Sequence, residues 1–214
     1  MPLTAVSATS AVQGLQHWEN DMRPIETSEI LSKDEYERER PDLRRRIMTL
    51  KARRRVPLGD HATLHFETRD TMLYQVHEML RAEDSWQRPG AVEAELEAYN
   101  PLIPSDGALS ATLMIEYESP AERARHLSEL VGIDRHLWLV VGDTPPLPAH
   151  FDAAQASPAR ISSVQYVRWP LDGERARLLA SDGTVLRVVL DHPHASAQAV
   201  LSEETRRELA NDLK

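Results

Sequence analysis

The chain has 214 residues, 25 of them basic and 34 acidic, and a net charge of −9 at neutral pH. It contains no cysteine, which excludes disulfides, thiolate nucleophiles, zinc knuckles and iron–sulfur ligation by this chain. Net acidity argues against bulk attraction to nucleic acid or anionic lipid, and the longest strongly apolar run, 137–141, falls far short of the ~20 residues that cross a bilayer.

No basic leader followed by an apolar stretch opens the sequence, so a cytoplasmic location is expected. The length suits one domain with an appendage, and a chain of this size buries enough surface to need no covalent staples. The eight glycines never come closer than ten residues apart. A dinucleotide fingerprint or a P-loop needs them two to five apart to wrap a phosphate in backbone amides, so both are excluded. Neither a His-Glu-x-x-His nor a Glu-x-x-His motif occurs, which removes the zincin and di-iron bundle signatures.

In chain order, residues 1–27 are rich in Ala, Ser and Thr and read as a flexible tail with a short helix near 12–18. Order is expected to begin near Ile30. A helix over 34–40 restarts at Pro41, whose fixed φ suits a first turn, and Leu43, Ile47 and Leu50 mark its buried stripe up to residue 54. Residues 56–67 alternate as one strand, with Ala62, Leu64 and Phe66 on the core face and His61, Thr63, His65 and Glu67 on the wet face. An amphipathic helix over 70–83 buries Met72, Leu73, Val76, Met79 and Leu80. Its opposite stripe, Tyr74, His77, Glu78 and Arg81, is expected to face solvent.

A shorter helix, 91–98, stops before Pro101. A strand over 111–118 leads to Ser119, Pro120 and Glu122, a capping box that opens a helix ended by Gly132. The run 137–141 reads as a central strand, and the four prolines of 143–158 as a long surface loop. Strands over 163–168 and 184–190 flank a short helix near 174–180, and 202–212 closes the chain as a helix. This is an α+β pattern: one domain over 28–214, with a mostly antiparallel sheet of about five strands and helices packed on it.

Three groups could carry chemistry. Glu67, Glu78 and Glu116, with His61 or His192, are the carboxylates and imidazoles that could hold a divalent metal. Asp191-His192-Pro193-His194 places His192 and one further histidine, His194, around a proline. Arg44, Arg45, Arg46, Lys51, Arg53, Arg54 and Arg55 put seven cations within twelve residues. No aromatic is interleaved to stack bases, so docking to an acidic protein is favoured over nucleic acid. Arg44, Arg45, Lys51, Arg53, Arg54 and Arg55, with Tyr74 and Arg81, are the candidate partner-binding residues.

The segments YERERP (36–41), KARRRVPLG (51–59), FETRDTMLYQVHEMLR (66–81), EAYNPLIP (97–104), ATLMIE (111–116) and VLDHP (189–193) resemble the bacterial domain-of-unknown-function 3501 family. The likeness runs from about residue 25 to the C-terminus. Glu67, Arg69, Asp70, Gln75, Glu78, Glu116, Asp191 and His192 fall on its motifs. His65, His77 and the loop 144–160 depart from them. The resemblance implies an accessory protein encoded beside a rubrerythrin-like di-iron protein and an iron–sulfur oxidoreductase, in a redox or peroxide-protection system whose metal chemistry belongs to the partners. The leading expectation is therefore a non-catalytic interaction protein. The alternative is a metal-binding protein or enzyme built on the carboxylate/histidine set.

Overall fold

The computed structural model describes residues 22–213 apart from 153, 154 and 156–158. The expected tail as far as residue 21, with its helix near 12–18, lies outside the described residues. The described part of that tail is docked: Ile25 is buried, and its amide and carbonyl are both held by the Asn100 side chain, at 2.8 and 3.0 Å. Order thus begins before Ile30, because one asparagine amide satisfies both backbone groups of an apolar anchor.

Helix α1 (Lys33–Arg54) opens with a reciprocal box: Ser32 accepts the Glu35 amide and the Glu35 side chain accepts the Ser32 amide. The expected break at Pro41 does not occur; one helix of 22 residues runs through it. Tyr36, Leu43 and Ile47 are buried on either side of the proline, and their packing keeps the two halves in line where local propensity would separate them.

The single strand expected over 56–67 is a hairpin, β1 (Arg55–Pro57) and β2 (Ala62–Phe66), paired antiparallel. Gly59 makes the reversal at φ +73°, and a Cβ there would lie 3.2 Å from Ala197 Cβ, so both backbone conformation and space favour glycine. Next come α2 (Arg69–Ala82), α3 (Ala91–Tyr99), β3 (Ala108–Ile115) and α4 (Pro120–Glu129). Ser119 caps α4 by accepting the Glu122 amide at 3.0 Å. β4 (Leu137–Val141) is an interior strand, as its apolar run predicts.

The proline-rich loop holds two short strands, β5 (Leu147–Pro148) and β6 (His150–Phe151). Then follow β7 (Val164–Pro170), α5 (Gly173–Ala180), β8 (Leu186–His192), β9 (Ala195–Val200) and α6 (Glu203–Asn211). β9 is absent from the sequence reading because Ala-Ser-Ala-Gln-Ala carries no β-branched or aromatic residue; the β8–β9 hairpin is made by its register with β8.

The α+β, antiparallel expectation holds, with the strands divided between two sheets. Their orders are β1-β2-β3-β7-β6 and β5-β4-β8-β9, and every pairing is antiparallel. Leu64, Phe66, Leu113 and Trp169 of the first pack with Leu139, Val141, Val188 and Leu190 of the second in one core. The chain crosses between the sheets three times, from β3 to β4, from β5 to β6 and from β7 to β8. The outer face of the five-stranded sheet carries a separate helical layer, in which Met72, Val76 and Leu80 of α2 pack with Ala91 and Leu96 of α3, and Tyr166 of β7 packs against them.

Helices α1 and α6 are joined by charge. Arg54, buried at the end of α1, meets Asp212 through two hydrogen bonds of 2.7 Å and the Glu208 carbonyl at 3.1 Å. Burial pushes the Asp212 carboxyl up, against the opposing pull of Arg54. Removing one member of such a pair strands the other away from water. Asp212→Asn is therefore expected to cost about 3 kcal/mol, read as a lower urea midpoint with an unchanged m-value.

Candidate functional site

The outer face of the five-stranded sheet is built by register. Arg55 lies opposite His65, His65 opposite Thr112, and Thr112 opposite Tyr166. Directly opposite residues share a face, so these four form a row across β1, β2, β3 and β7. Thr63 and Glu67 share this face and are buried, while His65, Thr112 and Tyr166 are half-buried. The wet face expected for β2 is therefore mostly covered, His61 at the hairpin turn being its exposed member.

Glu67 sits where β2 meets α2 and is 4% exposed. The junction is shaped by Thr68 and Thr71, each of whose hydroxyls accepts the other's amide. Both carboxylate oxygens are taken: Thr71 Oγ1 donates to one at 2.6 Å and Thr112 Oγ1 to the other at 2.7 Å. Arg69, next along, donates to both oxygens of Glu29 and to the Arg23 carbonyl, tying residues 23–29 to the start of α2.

Glu78 lies seven residues beyond Thr71, about 10 Å farther along α2 at ~1.5 Å per residue. Arg40 grips it bidentately, at 2.7 and 2.8 Å, and Tyr36 donates its hydroxyl at 2.6 Å. The Arg40 hydrogen bonds, ahead of the opposing effect of burial, hold its carboxyl at about 2. Tyr36 has no exposed surface, and its ring stacks on His77 at 4.6 Å. His77 Nε2 accepts the Leu31 amide at 3.0 Å, so Nδ1 carries the proton and donates to the Leu73 carbonyl at 2.8 Å. Burial lowers the His77 pKa, and this neutral tautomer is the one both partners require.

The stripe Tyr74, His77, Glu78 and Arg81 was expected to face solvent. The structure buries Tyr74 and His77 beneath α1, and Arg81 pairs with Glu37 of α1 at 2.8 Å. Spacing identified the stripe but not the polar helix that covers it. The i, i+4 pair Tyr36/Arg40 was readable in the sequence; Thr112 comes to Glu67 only through sheet register.

The five candidate metal ligands do not meet. Glu67 and Glu78 are separately saturated. Glu116 is exposed, four residues or about 13 Å along β3 from Thr112, where its amide and carbonyl face His61. His192 lies in the other sheet, its Nε2 toward the Val131 carbonyl at 3.3 Å and its Nδ1 accepting the His194 amide at 3.2 Å. Among the described residues no three His, Cys, Asp or Glu side chains are placed to hold a metal ion.

The basic run divides in two. Arg53 faces Glu204 and Glu208, Arg54 is buried on Asp212, and Arg45 pairs with Asp42. The side chains of Arg44, Lys51 and Arg55 make no hydrogen bond or ion pair among the described residues.

Two outcomes follow from the α1–α2 network. The Glu78 pKa falls from 4.5 unfolded to about 2 folded, so its contribution is complete above pH 4.5 and is lost as pH falls through 2. Glu78→Gln should lower stability by about 2 kcal/mol at pH 7, with the gap closing toward pH 2 in denaturant titrations. The lowered His77 pKa acts in the same direction: its contribution is full above about 6.5 and declines as pH drops below that. His77→Gln should flatten the pH dependence of the melting temperature in this window.

Among curated proteins, none matches this chain. A crystal structure of a novel protein of unknown function from Burkholderia pseudomallei K96243 shares 34% sequence identity and superposes with a TM-score of 0.82, covering 89% of this chain and 100% of that one. The pattern of the family described as "Protein of unknown function (DUF3501)" matches residues 24–213. With the motif segments distributed through α1, the β1–β2 hairpin, α2, β3 and β8 of this fold, the chain belongs to the DUF3501 family.

Proposed function

We propose that this protein is a non-catalytic accessory protein that docks an acidic surface of a partner through the outer stripe of α1 and its continuation into β1. One observation carries the reading. In a chain of net charge −9, Arg44, Lys51 and Arg55 stay without a counter-charge while their neighbours are consumed by α6 and Asp42. Arg44, Met48 and Lys51 have the spacing that aligns side chains on one helix face, Arg55 follows as the first residue of β1, and Met48 is 39% exposed. An apolar side chain ringed by unpaired cations is the pattern of a small docking patch, where charge sets encounter rate and partner choice.

The partner class rests on the family resemblance: a rubrerythrin-like di-iron protein or an iron–sulfur oxidoreductase in a redox or peroxide-protection system. The saturation of Glu67, Glu78 and Asp212 by internal donors supports assigning metal chemistry to the partner. No helix among the described residues is long and apolar enough to cross a membrane, and the docking proposed is to a protein.

The test is affinity capture of the full chain from its native cells. A di-iron or iron–sulfur protein should be recovered at low salt and lost progressively as salt rises. The triple reversal R44E/K51E/R55E should weaken capture by roughly tenfold or more without shifting the melting temperature. Recovery of neither protein class, or recovery indifferent to the triple reversal, would overturn the proposal.

A further inference from the structure

The row Arg55–His65–Thr112–Tyr166 has a property that the docking stripe does not explain. Some polar groups on this face of the sheet are satisfied internally. The Glu67 carboxylate is taken by two threonines, and the Arg168 guanidinium by Ser105 and the Pro101 carbonyl. Arg55, Thr63, His65, Ser110 and Tyr166 lie on the same face, and their side chains make no hydrogen bond among the described residues; of these, His65 and Tyr166 are half-buried. Lys51, in the last turn of α1, and Arg55, at the start of β1, act electrostatically on the His65 ring. Thr112 donates its hydroxyl hydrogen to Glu67, so its oxygen has lone pairs left to accept from something else.

We propose that Lys51, Arg55 and His65 bind the anionic group of a small organic ligand lying across the sheet, with Thr112 accepting from a hydroxyl or amine of that ligand and Tyr166 donating at its far end. The spacing sets the ligand's size. Strands lie ~4.8 Å apart, so Thr112 is one spacing from His65 and Tyr166 is two, about 10 Å. The chemistry is an oxyanion, carboxylate or phosphate-type, with a hydrogen-bond donor about 5 Å away. Two permanent cations supply the attraction and the imidazole a directional donor once protonated. Glu67 and Glu116 are the acids that act on the ring, and Glu67's oxygens are already engaged. Burial lowers the His65 pKa, so an anion bound beside it should raise that pKa, and binding should tighten as pH falls toward 5.5.

The test follows the His65 ring by NMR in the full chain, the resonance being assigned by its loss in His65→Asn. Sulfate, whose charge is constant over this pH range, probes the tetrahedral anion, and acetate probes the carboxylate. The expected result is a saturable shift with at least one of them, stronger at pH 5.5 than at pH 8. It should weaken about tenfold in K51Q/R55Q, as loss of charge-assisted hydrogen bonds implies. The arm that binds more tightly identifies the ligand's anionic group. A shift that is linear in concentration, absent with both anions, or unchanged in K51Q/R55Q would overturn the proposal. The variant R44E/M48A touches the docking stripe but not the row. Sulfate or acetate binding intact in it while partner capture is lost separates the two readings.

Discussion

A carboxylate or guanidinium taken out of water must find partners for its charge and its hydrogen-bonding groups, and that demand shapes the layer of helices on the outer face of the five-stranded sheet. Glu78 is met by Arg40 and Tyr36, Glu67 by Thr71 and Thr112, and Asp212 by Arg54. Each arrangement couples elements distant in sequence: α1 to α2, α2 to β3, and α1 to α6. Apolar burial between the two sheets drives collapse. The buried polar pairs fix how α1 lies on the rest, because a shifted helix would leave an ion without its partner.

That same saturation bears on function. Each oxygen of Glu67 and of Glu78, two acids on the family motifs, is held by an internal donor. What remains available is cationic and lies elsewhere: the stripe on α1 and the half-buried row on the sheet. In an acidic protein, cations left without a counter-charge are the groups on which both proposals rest. His77 and His65 illustrate the contrast. The first is locked between two backbone groups, and the ring of the second makes no hydrogen bond among the described residues.

Sequence determined much of the local structure, because caps and periodicity act over a few residues. Ser119 ends where α4 begins, Gly132 takes the left-handed conformation after it at φ +95°, and 137–141 forms an interior strand. The alternation in β2 sorted its side chains correctly between two faces. The docked segment around Ile25 and the continuous helix through Pro41 went against local signals, since the contacts responsible come from Asn100 and from packing against α2.

Only the tertiary structure decided what covers each face. The polar stripe of α2 reads as solvated because its pattern is that of a surface helix, and it is buried because α1 brings a matching set of tyrosine and arginine donors. The division of the nine strands among the described residues into two sheets, the pairing of the β9 edge, and the approach of Thr112 to Glu67 all depend on register. Register is a relation between segments dozens of residues apart, set by the best joint burial of many side chains, and no short window of sequence contains it.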